Sequence, residues 1–115
     1  MAYTHTIQQV PVIDLTTSFA VIYGVPSSTL FTVGLLHIVN TTGSSVSVSV
    51  CVVPVSATGA DQTNALLWNF IMPGYSFLEL ACGDVWDADS NLEAMASAGS
   101  SINIKLSGIE TTGSP

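Results

Sequence analysis

Charge is what this sequence has least of. Lys105 is the only Lys or Arg among 115 residues, set against eight Asp and Glu, so charged residues make up 8% and the formal net charge is −7. Soluble proteins usually run near 25% charged. Nucleic-acid binding depends on Lys and Arg that displace counterions from phosphates, so an acidic chain with one lysine excludes it. The same shortage excludes attraction to an anionic membrane surface. From Leu15 to Ala60 there is no Asp, Glu, Lys or Arg at all. A stretch of that kind implies extensive contact with neighbouring molecules, and obligate assembly, with a homo-oligomer as its simplest form, is the first functional inference.

Long apolar runs are missing as well. A membrane-crossing helix needs about 20 apolar residues, and the longest candidate, Leu30 to Val39, is interrupted by Thr32, Gly34 and His37 and stops at Asn40. The opening residues MAYTHTIQQVPVIDL lack the basic and apolar regions of an export signal, which leads to the expectation of folding in a cytoplasm. Only two cysteines occur, Cys51 and Cys82. One bridge is arithmetically open to them, but without an export signal two reduced, largely buried thiols are expected. His5 and His37 lie far from zinc-finger spacing, so no structural zinc site is expected.

What is present is a β pattern. Ser45 to Val53 alternates strictly, with Val46, Val48, Val50 and Val52 on one face and Ser45, Ser47, Ser49 and Cys51 on the other. Thr29 to Asn40 is apolar on both parities, with Leu30, Leu36 and Ile38 on one side and Phe31, Val33, Leu35 and Val39 on the other, as in a strand covered on both faces. The connection Thr41-Thr42-Gly43-Ser44 predicts that these two strands pair as a hairpin. Further strands are predicted over Phe19–Val25, Ala65–Met72, Tyr75–Cys82, Leu92–Ser97 and Ser101–Gly108, punctuated by Pro26, Pro54, Pro73-Gly74 and Gly83-Asp84. The expected fold is all-β, an antiparallel β-sandwich of jelly-roll type with about 7–8 strands. Its expected layout is an N-terminal arm over 1–15, one sandwich domain over 16–110 and a tail over 111–115.

The order of these signals carries a resemblance. Ile22-Tyr23-Gly24-Val25-Pro26 leads into the apolar strand closed by Val39-Asn40-Thr41-Thr42-Gly43, then the Val-alternating strand, then Leu66 to Met72 before Pro73-Gly74. Gly83-Asp84, the small-residue strand Ala94 to Ala98 and Ile102 to Glu110 complete the series. Over residues 17–110 this resembles small β-sandwich virion proteins of tailed bacteriophages, including capsid decoration (cement) proteins and small tail, neck or baseplate components. The resemblance implies a many-copy structural protein of the virion, assembled in the host cytoplasm, whose partner is the major capsid protein or another virion protein. It brings no catalytic residue and no cofactor. Val10, Val12, Phe31, Leu35, Trp68 and Trp86 are the candidate interface residues, and the arm Ala2 to Val12 a candidate strap.

Other chemistries leave weaker marks. Asp87, Asp89 and Asn91 occupy the first three ligand spacings of a calcium loop, but Leu92 stands at the glycine position and Ala98 at that of the bidentate glutamate, so an acidic solvated loop is the better reading. His37, between Leu35 and Val39 in alternation, reads as a partly buried histidine bonded to a neighbour rather than a general base. Glu79 and Glu93 are conceivable as paired carboxylates on neighbouring strands. Trp68, Trp86 and Tyr75 would serve a carbohydrate-binding module, the alternative of a different class. An enzyme ranks last, since no nucleophile, metal cluster or phosphate loop is recognisable.

Overall fold

Alternation and turn chemistry together give strands wherever apolar residues recur every second position. The structure, a computed structural model, describes residues 2–81 and 83–114, within which nine strands form. These are β1 (Ala2–Asp14), β2 (Ala20–Gly24), β3 (Thr29–Asn40), β4 (Val46–Val53), β5 (Ala65–Met72), β6 (Phe77–Leu80), β7 (Val85–Trp86), β8 (Asn91–Ala96) and β9 (Ile102–Ser114). One sheet, A, has the order β1-β9-β3-β6, with β7 also paired to β3; the other, B, has the order β2-β8-β4-β5. All pairings are antiparallel.

Both sheets contribute to one hydrophobic cluster. Sheet A supplies Val10, Phe31, Val33, Leu36, Ile38, Ile102, Ile104 and Leu106; sheet B supplies Ile22, Tyr23, Val46, Val48, Val50, Met72, Leu92, Ala94 and Ala96. Phe31 tilts against both Tyr23 and Trp86, with ring centroids 4.8 and 5.6 Å away. The face each sheet turns to this cluster is its inner face.

Strict alternation along β3 fails at one residue. The register of β3 against β9 shifts between Val33 and Leu35, a bulge centred on Gly34. A Cβ on Gly34 would lie 3.2 Å from the Ser107 carbonyl oxygen, so glycine suits the close approach. The bulge reverses the parity of the strand. Phe31 and Val33 therefore share the inner face with Leu36 and Ile38, while Leu30, Leu35, His37 and Val39 face outward.

Two further expectations are corrected. β3 and β4 do not pair, because they belong to different sheets and the turn between them carries the chain from one to the other. The segments expected as an arm and a tail are strands: β1 pairs with β9 from Ala2 against Ser114 to Asp14 against Asn103. Continuous hydrogen bonding to a central strand is what orders them.

The crossing from sheet A to sheet B is held by Asn40, a fully buried side chain. Its Nδ2 donates toward the carbonyls of Ser44 at 2.8 Å, Met72 at 3.1 Å and Pro73 at 3.2 Å. Its Oδ1 accepts from the Thr42 amide at 3.0 Å and the Thr42 hydroxyl at 2.9 Å. One amide thus ties the end of β3 to the turn before β4 and to the end of β5. At the opposite end, the Tyr23 hydroxyl of sheet B donates to Glu110 Oε2 of sheet A. Burial, and then the hydrogen bond and charge of Glu110, push the Tyr23 phenol well above its ordinary range.

Each tie carries a prediction. Asn40→Ala strands buried carbonyls without a donor and is expected to cost roughly 2–5 kcal/mol, read as a lowered denaturant midpoint. For Tyr23 the folded state holds the proton more tightly than the unfolded chain. Its contribution is therefore complete below the unfolded value of about 10 and declines as pH rises beyond it. Alkaline denaturation curves of wild type should steepen in that window, and Tyr23→Phe should flatten them.

Candidate assembly surfaces

The outer face of sheet A is built as cross-strand rows. Ile7, Ile109, Thr32 and Val85 lie side by side across four strands, with Ile7 77%, Ile109 43% and Val85 55% exposed. Beyond them, His5, Thr111 and Leu30 align, with His5 Nδ1 3.0 Å from the Thr111 hydroxyl. In the other direction Lys105 pairs with His37 and His37 with Glu79, followed by the row Asp14, Asn103, Val39 and Phe77. His37 Nδ1 meets Glu79 Oε1 at 3.1 Å, and its ring stacks on Phe77 with centroids 5.8 Å apart. A shallow cleft of about 220 Å³ opens here between Val12, His37, Val39, Asn103, Ile104 and Lys105. Tyr3, Val12, Leu30 and Phe77 add exposed apolar surface to the same sheet. Isolated apolar side chains on a surface are ordinary, but so many on one sheet face make it a candidate interaction surface.

The edges of the sheets are also open. β1 forms one end of sheet A, and its free side runs along thirteen residues whose only charged member before or at the end is Asp14. β5 forms an end of sheet B and leaves Trp68, Phe70 and Ile71 exposed. Proteins that stay monomeric guard such edges with lysines, short strands or covering loops. Pro11, at the bulge between Val10 and Ile13, is the sole proline along β1.

The residues singled out from sequence are not gathered in one place. Val10, Phe31 and Trp86 sit in the shared core, whereas Val12 and Leu35 lie on the outer face of sheet A and Trp68 on the β5 edge, stacked on Phe19 at 6.0 Å. The two tryptophans therefore form no common platform for a sugar. Glu79 and Glu93 belong to different sheets, which separates them as a carboxylate pair. Asp89 accepts the Ser27 hydroxyl at 2.9 Å, and among the described residues no group of three or more His, Cys, Asp or Glu is placed to hold a metal, the loop of Asp87, Asp89 and Asn91 included. Among the described residues no catalytic constellation forms either: the partner of His37 is a carboxylate on a solvent-facing sheet. The rows of β1 and β9 leave little mark in the sequence because His5, Ile7, Lys105 and Ile109 sit among polar residues, although the alternation Ile102, Ile104, Leu106 points the residues between them outward.

No family model matches the chain, and no curated protein does. Among solved structures, a chain of the Bacillus endospore appendages, described as a novel family of disulfide-linked pili, superposes with a TM-score of 0.61 at 14% identity, covering 99% of this chain and 93% of that one. The fold is similar to that of a pilus protein. This finding overturns the bacteriophage expectation. The order of turns behind it is what any chain threading two antiparallel sheets requires, so it does not distinguish a virion protein from an appendage protein. With it fall the capsid decoration and tail-component roles, the major capsid protein as partner and the virion as location.

Of the two cysteines expected as reduced, largely buried thiols, Cys51 lies among the described residues. Cys51 is a free, fully buried thiol on the outer side of β4, under the loop that follows the strand; its Sγ donates to the Asp61 carbonyl at 3.5 Å. Asp61 caps the short 3-10 turn Gln62–Asn64 through the Thr63 amide. Burial, joined by the charges of Asp61 and Glu93, raises the Cys51 pKa. Cys82, its proposed fellow thiol, lies outside the described residues. In a Cys82→Ala background, Cys51 should resist alkylation in the native protein at neutral pH and react promptly once denatured, as followed by mass spectrometry.

Proposed function

We propose that this chain is a structural subunit of a surface appendage, polymerising from many copies of itself, on a jelly-roll sandwich scaffold. The strand orders β1-β9-β3-β6, with the short β7 also on β3, and β2-β8-β4-β5 support that scaffold, since they follow the double Greek-key arrangement. The likeness to a pilus protein supports the class of assembly. The observation that carries the reading is the free edge of β1, thirteen residues long and almost without charge. Its unpaired amides and carbonyls are a template on which a strand of another copy adds, main chain to main chain. Sheet edges on different sides of a subunit join head to tail, and such contacts propagate into filaments rather than closing into a dimer.

Concentrated wild-type protein should therefore form filaments visible by negative-stain electron microscopy. Thr4→Lys with Thr6→Lys places two charges on the exposed β1 edge and should leave monomers, while stability changes by no more than about 0.5 kcal/mol. Filaments of unchanged length from that variant, or a wild type that stays monomeric at every concentration, would refute the reading.

A further inference from the structure

The outer face of sheet A carries more than exposed apolar residues. It holds the chain's one lysine, and that lysine has no carboxylate within 4 Å among the described residues. Two exposed carboxylates stand on the same face on either side of it. Glu79 is reached across His37, and Asp14 lies on the neighbouring row. A positive centre flanked by negative groups is a surface complementary to itself.

The geometry points to a second copy of this chain packed face to face on sheet A, with Lys105 of each copy set against Glu79 or Asp14 of the other. Three observations support this occupant over a foreign one. The charges on the face match those of its own rotated image. A chain with eight carboxylates and one lysine offers its own copies an abundant acidic partner. The size also suits, since β1, β9 and β3, about 4.8 Å apart and about twelve residues long at about 3.3 Å each, with the short β6 and β7 beside them, give about 650 Å², approaching the ~800 Å² that each partner buries in a specific interface. The apolar rows around Ile7, Ile109, Val12 and Phe77 supply the burial. The charges set the register, because a slipped pairing leaves Lys105 against Ile109 or Thr32 with no carboxylate in reach.

This inference rests on the self-assembly reading but uses a surface separate from the β1 edge. Its test is carbodiimide coupling of the full-length protein, made from a mixture of isotope-labelled and unlabelled copies. Because the chain has a single lysine, each mixed-isotope cross-link from its side chain reports one site. Links from Lys105 to Glu79 or Asp14 of the other copy are expected. Sedimentation of Lys105→Glu should show association weakened roughly tenfold or more, and adding Glu79→Lys should restore it, with circular dichroism confirming that both variants fold. Links running instead to Asp61 or Glu93, or association of Lys105→Glu equal to wild type while the Thr4→Lys, Thr6→Lys variant is monomeric, would overturn the face and leave the edge reading standing. A strictly monomeric wild type would overturn both.

Discussion

Asn40, at the end of β3, satisfies from one buried side chain the backbone of two further segments, the turn leading to β4 and the end of β5. Two sheets so poor in ionic groups have few alternatives. Apolar burial between them is non-directional, so it drives the sheets together without fixing where they meet. A satisfied polar group in the interior supplies that specificity, since any displacement leaves carbonyls unpaired in a medium of low dielectric constant. Tyr23 and Glu110 do the same at the far end, and between the two ties the valines and isoleucines need only be the right size.

The outward surfaces follow from how the interior is fixed. With the relative position of the sheets set at both ends, the bulge at Gly34 decides which residues of β3 face away from the core, and thus where His37 stands relative to Lys105 and Glu79. The edge strands are left without such ties. β1 hydrogen-bonds only to β9, and β5 only to β4. Stability is concentrated in the centre of each sheet, and the capacity for contact at its margins and on the outer face of sheet A.

Much of the fold was legible in the sequence because β-structure writes itself in steps of two. The limits of β3 and β5 agree with the pattern to the residue, and the serine-valine alternation of β4 holds. Three things were hidden, each for a physical reason. The parity change in β3 turns on one glycine, and a glycine inside a strand is itself a bulge signal. The sheet change between β3 and β4 is invisible locally, because a Thr-Thr-Gly-Ser turn serves a hairpin and a crossing equally; only the long-range bonds of Asn40 separate the two. β1 was obscured by threonine and glutamine, which lie exposed on an edge rather than packed in a core. As for the candidate surface, Val12 and Leu35 were within reach of periodicity, but pairing Lys105 with His37 requires strands sixty-eight positions apart to be neighbours, and no local pattern conveys that.

The unguarded flank of β1 also has a cost for whatever cell makes this chain. On the self-assembly proposed above, a newly made copy would meet its siblings with the same open strand before any ordered fibre existed, and β-pairing has no inherent preference for the ordered outcome. Production would then have to be matched to consumption at a growing tip, or an escort would have to shield the strand in transit, so that gene dosage and timing would govern whether the product was a fibre or an inclusion body.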